Sequence, residues 1–227
     1  MDRIRHFKWS ILLVIIHLVV VLYFNAILGP EEKIPRQWDY RGEIGSYSSR
    51  EAGLWFLWGM NVILVAAFIL FPLISPRYKR DRNRFEQILP RLSLIISFFL
   101  LVIHLYMLLW ASGIPYIRGD DFIFVLIGLL FIFLGNILPK IPSNYFAGVR
   151  TPWTLTSEKN WYKTHRVSGY VFVIGGIFMM LRGFFELGST LSLIHTTLLL
   201  GFLLVYPILY SYIFFLKEKK NREKEER

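Results

Sequence analysis

The chain has 227 residues, of which 55% are hydrophobic and 17% aromatic, and its mean hydropathy is +0.47. A soluble domain of this length does not hide so much apolar surface, so the composition indicates an integral membrane protein. The absence of cysteine excludes disulfides, thiolate metal sites and cysteine nucleophiles. The net charge of +10 does not indicate direct nucleic-acid binding, because the basic residues flank apolar runs.

Six apolar runs predict the fold class. A bilayer core of about 30 Å is crossed by about 20 helical residues. The runs 7–28, 54–74, 92–112, 122–138, 167–187 and 193–216 therefore predict an all-α, polytopic membrane protein with six transmembrane helices. The first run follows a basic segment, as in a signal peptide, but it is too long and no small-residue cleavage site follows it. We expect it to be retained as the first span.

Lys and Arg residues are distributed unequally between the connecting segments. Of the 26, 20 lie in the N-terminal segment up to Lys8, in 75–91, in 139–166 or after the sixth span. Loops rich in Lys and Arg stay on the cytoplasmic side of a membrane. The sequence thus predicts cytoplasmic termini, a cytoplasmic loop at 139–166 and an extracytoplasmic loop at 29–53. It also predicts a charged cytoplasmic tail at 217–227.

The loop 29–53 carries Pro and Gly residues with aromatic residues between them. This pattern predicts a compact, ordered, turn-rich connector at the membrane surface. The alternative is a recognition surface for a molecule that arrives from outside, for which Pro35, Trp38 and Gly42 are the candidate residues.

The loop 139–166 is the longest polar segment between apolar runs. Pro139 and Pro142 prevent the fourth span from continuing as a regular helix. Asn144 and Gly148 suit turn conformations, including positive φ. Arg150 has three possible roles: it caps the fourth span, pairs with a carboxylate or binds a lipid phosphate.

A further helix is predicted from about residue 156, with Thr156 or Ser157 as its N-cap. Its spacing places four residues on one face, opposite Lys159 and Lys163: Glu158, Trp161, Tyr162 and His165. We predict an interfacial helix that leads into the fifth span. Glu158 and His165 lie about 10 Å apart along such a helix. With no third ligand near them, we predict that they tie the loop down, and we predict no catalytic residue, metal or cofactor.

Several polar residues fall inside predicted spans, among them His17, His104, His195 and Asn61. Such residues mark functional sites or join helices by hydrogen bonds. We interpret each histidine as a packing residue. The alternative is a small-solute or ion transporter that uses these side chains, and a third hypothesis is a membrane enzyme centred on Arg150, Glu158 and His165. Arg182 and Glu186 are spaced for a local salt bridge.

The polar loop and its flanks resemble the SdpI family of bacterial immunity proteins. The resemblance rests on a motif of about 35 residues, whose members we take as candidate partner-binding or structural residues: Asn136, Pro139, Asn144, Gly148, Arg150, Thr151, Pro152, Trp153, Thr154, Glu158, Trp161, Thr164, His165 and Gly169. The outer stretch from Ile34 to Arg50 is similar to an amino-terminal domain often fused ahead of that motif, although Gln37 and Trp38 replace a common His. The resemblance divides the chain into a two-span region (1–91), a four-span region (92–216) and the tail.

The resemblance implies a protein of the bacterial plasma membrane that protects its host from a secreted, membrane-active peptide toxin. It also implies a signalling role, in which the membrane protein holds a small winged-helix repressor at the cytoplasmic face. The expected partners are therefore membrane lipid, a peptide toxin outside and a repressor inside. The expected protein is not an enzyme.

Overall fold

The computed structural model describes residues 2–38, 43–74, 77–114, 119–185 and 189–225. Its helices are α1 (Asp2–His6), α2 (Lys8–Ile27), α3 (Arg50–Ile74), α4 (Arg82–Ala111), α5 (Gly119–Ile137), α6 (Pro152–Thr156), α7 (Glu158–Arg182) and α8 (Ser189–Glu225). Two strands, β1 (Ile34–Trp38) and β2 (Ile44–Ser48), lie between α2 and α3. Within these described ranges, six helices are long and apolar enough to cross a membrane. The predicted six-span, helical membrane protein is confirmed.

Three helices extend by about nine residues or more beyond the apolar runs that predicted them. α4 begins at Arg82 and continues through Pro90, and α8 reaches Glu225. The predicted interfacial helix and the fifth span form one continuous helix, α7. Hydropathy locates only the part of a helix that lies in lipid, whereas Lys, Arg and Glu are good helix formers in water.

The loop between α2 and α3 is ordered as an antiparallel hairpin in which Ile34 faces Ser48 and Trp38 faces Ile44. Ile34 is fully buried, and a Cβ atom added to Gly53 would lie 2.6 Å from the Ile34 Cβ atom. Glycine at 53 therefore lets the hairpin rest directly on the first turn of α3. Trp38 packs against Tyr106 of α4, with ring centroids 5.4 Å apart. Gly42, the third candidate residue of this loop, lies outside the described residues.

The helices α5 and α7 meet through glycines spaced seven residues apart. A Cβ atom on Gly128 would lie 2.6 Å from the Gly176 carbonyl oxygen, and one on Gly135 would lie 2.7 Å from that of Gly169. At a third contact, a Cβ atom on Gly183 would lie 2.6 Å from the Asp121 carbonyl oxygen. Apolar side chains gain little by leaving lipid, so close backbone packing at small residues is a main source of helix association in membranes. These glycines fix the α5–α7 pair.

Arg182, near the end of α7, is buried by neighbouring helices. Its Nη1 atom lies 3.9 Å from Asp121 Oδ1 of α5, and its Nη2 atom donates to Ser192 Oγ of α8 at 2.9 Å. The guanidinium also lies over the Phe124 ring. Glu186, the partner predicted from sequence, lies outside the described residues. The guanidinium thus contacts side chains on α5 and α8. The sequence spacing had suggested only a partner four residues further along the chain.

We predict opposite effects of alanine at two helical glycines. Gly176→Ala should destabilise the protein by about 1–3 kcal/mol, because the new methyl group meets the α5 backbone. Gly201→Ala, where a Cβ meets nothing within 4 Å, should be neutral or stabilising by up to about 1 kcal/mol. Thermal unfolding of both purified variants in detergent measures the difference. A shift of the same sign and size for both would contradict the packing described here.

Candidate functional site

The polar loop begins with a tight turn after α5. The segment Leu138–Lys140 is one turn of 3-10 helix with Pro139 near its start, and Asn136 donates back to the Ile132 carbonyl. Asn144 is buried, and its side-chain oxygen accepts hydrogen bonds from the backbone N–H groups of Phe146 and Ala147 at 2.7 and 2.8 Å. This amide folds the loop back on itself without needing positive φ.

Two aromatic side chains of α7 form hydrogen bonds with the backbone of the loop. Trp161 is fully buried and donates from Nε1 to the Ile141 carbonyl at 2.9 Å. His165, also buried, stacks on Trp161 with a centroid distance of 4.0 Å. Its Nδ1 atom lies 2.9 Å from the Trp161 carbonyl, and its Nε2 atom lies 3.1 Å from the Val149 N–H. Since a carbonyl only accepts and an N–H only donates, His165 is neutral with its proton on Nδ1.

Gly148 has φ of +108° and lies against the Nε2 edge of the His165 ring. A Cβ atom at this position would overlap His165 Nε2, the atom that accepts from Val149. The position therefore requires glycine for its backbone angle and for its contact with the histidine. The positive φ expected here is confirmed.

Thr151 is the N-cap of a short helix, α6, which was not predicted from the sequence. The Thr151 side chain accepts a hydrogen bond from the Thr154 N–H, and Thr154 Oγ1 accepts one from the Thr151 N–H. Each hydroxyl thus binds the backbone N–H of the other threonine, as in a capping box. Pro152 occupies the first turn, where its missing N–H costs nothing. The signal was present as a threonine, a proline at N1 and a second threonine at N3. Trp153 then packs against Tyr212 and Phe215 of α8.

Ser157 is the N-cap of α7, accepting from the Asn160 N–H at 3.1 Å, as one of the two candidates predicted. A buried polar chain starts there and reaches α8. Asn160 donates to the Ser211 carbonyl at 3.0 Å, Thr164 donates to Asn160 Oδ1 at 2.9 Å, and Thr151 Oγ1 lies 3.1 Å from Ser211 Oγ. The loop is thus bonded to two spans at once. Asn160 and Ser211 were not recognised from sequence, because neither stands out from a polar loop or an apolar span.

Basic residues between α3 and α4 contact the loop from its other side. Arg77 donates to Ser143 Oγ at 2.5 Å, Tyr145 Oη at 3.0 Å and the Leu155 carbonyl at 3.3 Å. Arg80 pairs with Glu158 at 2.6 Å. Hydrogen bonding to Asp81, followed by the charge of Glu158, raises the pKa of Arg80. The sequence analysis counted these arginines only as indicators of orientation, so their contacts with the loop were missed.

The candidate residues divide into buried and exposed groups. Thr154, Trp161, Thr164 and His165 are buried in the network, whereas Arg150 is exposed and donates to the Tyr145 carbonyl at 2.7 Å. Glu158 and His165 do not meet, because Glu158 faces Arg80 while His165 faces Val149. Gly169 belongs to the α5 contact instead. Among the residues that the structure describes, no three His, Asp or Glu side chains form a group suited to a metal ion.

Pro35 and Trp38 lie far from this loop. The hairpin precedes the first residue of α3, whereas Arg77, which holds the loop, follows its last residue. The hairpin and the polar loop therefore lie at opposite ends of α3, a helix about 37 Å long. The two surfaces singled out by sequence face opposite sides of the bundle.

Comparison with known proteins agrees with this architecture. Residues 140–211, which contain the polar loop, α6, α7 and much of α8, match the model of the SdpI/YfhL protein family. The chain is also 26% identical over 191 residues to the immunity protein SdpI of Bacillus subtilis (strain 168). The aligned region covers 84% of this chain and 87% of that protein. No solved structure matches the chain significantly. The resemblance to the SdpI family predicted from the motif is confirmed.

We predict that Gly148→Ala loosens the polar loop. The substitution adds backbone strain and displaces the His165 ring, which together should cost about 1–3 kcal/mol. Gly29→Ala is the matched control, because a Cβ there makes only an ordinary 3.6 Å contact with Glu32. Limited proteolysis of detergent-purified protein, with the fragments identified by mass spectrometry, should show faster cleavage near Tyr145 for the first variant alone. Equal cleavage rates would mean that the histidine contact does not order the loop.

Proposed function

We propose that this protein is an immunity or resistance protein of the bacterial plasma membrane, which protects the cell from a secreted, membrane-active peptide toxin. The observation that carries the proposal is the similarity to immunity protein SdpI, which extends over most of both chains rather than over one motif. The six spans agree with it. Survival of a toxin-sensitive bacterium that expresses this gene, compared with empty-vector cells, tests it directly. Survival no better than that of the control cells would contradict it.

The proposed outer surface is the hairpin. Next to it, a groove of about 530 Å³ opens between α3 and α4, with Arg36 and Ser48 at its hairpin end. Apolar side chains line the rest of the groove, including Phe56, Met60, Phe99 and Ile103. A membrane-active peptide is amphipathic, so it presents an apolar face to such a groove and polar groups to the hairpin. We propose that Pro35, Trp38 and Gly42 belong to this recognition surface.

The proposed inner surface is the polar loop together with the basic segment between α3 and α4. An open cavity of about 620 Å³ lies between Lys79–Arg84 and the start of α7, lined also by Glu158 and Tyr162. Its basic rim suits an acidic patch on a protein partner. We propose that a small winged-helix repressor is held on this side, and that the motif residues either contact it directly or keep this surface in shape. The titratable residues of the loop have separate partners, which favours a non-enzymatic role.

We propose that the two sequence regions, 1–91 and 92–216, act as one body. The division at residue 91 lies inside α4, which packs against α2 and α3 and also contacts α5. A signal at the hairpin end therefore has a continuous helix along which to reach the other half of the bundle. The charged tail 217–227, whose residues up to Glu225 belong to α8, lies on the proposed cytoplasmic side.

We predict that the hairpin is extracytoplasmic and that both the polar loop and the tail are cytoplasmic. The unequal distribution of Lys and Arg is the physical reason. The chain contains no cysteine, so Gln37→Cys, Lys159→Cys and Lys220→Cys each provide one thiol at an exposed position. An impermeant maleimide should label the first variant on intact cells, and the other two only after permeabilisation. The reverse labelling pattern would overturn the proposed orientation.

We predict that Arg150→Ala and Trp153→Ala reduce protection more than Lys159→Ala and Lys163→Ala. Arg150 braces the turn at Tyr145, and Trp153 packs the loop on α8, whereas both lysines are exposed on α7. Toxin survival, normalised to the amount of protein in the membrane, is the measurement. The lysine variants are the controls, since they remove charge from the same region. Equal survival of all four variants would remove the loop from the proposed mechanism.

A further inference from the structure

A second polar cluster lies inside the bundle, among α2, α3 and α4 and away from the polar loop. His17, Asn61 and His104 are each fully buried. His17 Nε2 lies 2.7 Å from His104 Nδ1, and Asn61 Nδ2 lies 3.1 Å from His17 Nδ1. The outer nitrogen of the pair, His104 Nε2, lies 2.8 Å from the Gly53 carbonyl. Helix packing explains why these side chains touch. It does not explain which atom donates in each hydrogen bond.

The Gly53 carbonyl sets the direction of the whole chain of hydrogen bonds. A carbonyl only accepts, so the proton of neutral His104 is on Nε2 and its Nδ1 atom accepts. His17 must then donate from Nε2, which leaves His17 Nδ1 as an acceptor for the Asn61 amide N–H. Both rings are neutral in this arrangement, and all four ring nitrogens have a partner.

One polar atom of the cluster has no hydrogen-bond partner in the part of the chain that the structure describes. Asn61 Oδ1 is buried and unpaired, although its own amide nitrogen bonds His17. An unpaired buried carbonyl is costly. Rotation of the amide by a half-turn would place Oδ1 opposite His17 Nδ1, but that contact is favourable only if Nδ1 carries a proton. The cluster therefore has two hydrogen-bond arrangements, which differ by one proton. In the second, the amide nitrogen gives up its 3.4 Å contact with the Ser97 carbonyl.

We propose that His17, Asn61 and His104 form a binding site for a single proton inside the membrane-spanning bundle. The proton adds to the lone pair of His17 Nδ1, and the Asn61 amide turns to accept from the new N–H bond. The positive charge is shared with His104 through the hydrogen bond between the rings. A second proton has no lone pair to join without breaking that hydrogen bond, so the site holds one.

Further buried hydroxyl groups lie on α2 and α4 between this site and one end of the bundle. Ser93 and Ser97 of α4 and Ser10 of α2 are buried, and their hydroxyl oxygens have no hydrogen-bond partner within the described residues. Ser10 also lines a cavity of about 470 Å³ that includes His6 and Glu86. Serine hydroxyls both donate and accept, so they pass a proton along a chain when water bridges them. The cavity is the proposed entry.

At the opposite end of the cluster lies Gly53, which also lines the groove between α3 and α4. The chain ends on the Gly53 carbonyl, which cannot carry a proton onward. Ile34, Leu54 and Leu108 are fully buried and belong to the apolar cluster on that side. The site thus exchanges protons with one side of the membrane only, and it binds a proton rather than conducting it.

The helices that surround the pair carry their charged residues near their ends. By sequence, α2 has no Asp, Glu, Lys or Arg after Lys8, α3 has none after Glu51, and α4 has none after Arg91. At the hairpin end Arg50 pairs with Glu51 at 2.6 Å, and Arg36 lies on exposed β1. At the other end Glu86, bonded to Arg82 at 2.8 Å, lines the cavity with His6 and Arg91. Without an adjacent carboxylate, the imidazole pair and the amide are the groups that stabilise the bound charge.

Proton uptake by the purified full-length protein tests the proposal. Potentiometric titration in detergent between about pH 8 and pH 4, which brackets the usual range of histidine, counts the protons taken up. His17→Gln and His104→Gln should each take up one proton fewer than the unchanged protein, and the double variant should also take up one fewer. Asn61→Leu should lose the same proton, whereas Asn25→Leu, two turns beyond His17 on α2, should not.

Two results would overturn the proposal. Loss of two protons in the double variant would show two independent histidines, and no loss in any of the three variants would show that neither ring binds a proton. If the variants do not fold, nitrogen-15 NMR of the unchanged, histidine-labelled protein decides the question. The signals of His17 and His104 should then share a scalar coupling across the inter-ring hydrogen bond and change together with pH. Separate titration of the two rings, or the absence of any change, would contradict the shared site.

Discussion

The close approach of α5 to α7 is the constraint on which the rest of the C-terminal half depends. Lipid gives helices little hydrophobic reason to associate, so the glycine contacts at seven-residue intervals supply the packing. They fix the distance between the end of α5 and the start of α7, and the polar loop must close across that distance. The loop then needs its own internal support, which the hydrogen bonds of Asn144, Thr154 and His165 provide.

The polar loop is held by three separate parts of the chain, and this arrangement explains its density of polar residues. Trp161 and His165 bond it from α7, Ser211 bonds it from α8, and Arg77 bonds it from the segment before α4. Irregular backbone close to a membrane needs partners for its N–H and C=O groups. The motif residues thus build a fixed surface, and the proposed inner partner would meet a shape that is already formed. Such a surface binds without a large ordering cost.

The sequence predicted what depends on local chemistry and missed what depends on distant partners. Six long apolar runs, the cap at Ser157 and the glycine at positive φ could all be predicted, because each follows from its immediate neighbours. The α6 helix was not predicted, although Thr151, Pro152 and Thr154 together are typical of a helix N-terminus. The hairpin was predicted as an ordered loop but not as strands. Arg77, Ser211 and the pairing of His17 with His104 lie outside prediction from spacing, because their partners are between 60 and 87 residues away.

The polar character of α7 has a consequence for the order of events during synthesis. This helix is the least apolar of the six spans, and it buries Asn160, Thr164, Ser168 and Arg182. A lone segment with these groups enters lipid at a considerable cost, and the guanidinium adds most to it. Asp121 and the glycines of α5 leave the ribosome earlier, so they are already in the bilayer when α7 emerges. The fifth span is therefore suited to insert against α5, which is already in the bilayer. A chain whose synthesis stops between the two helices would leave the packing surface of α5 uncovered, where membrane proteases and chaperones can bind it.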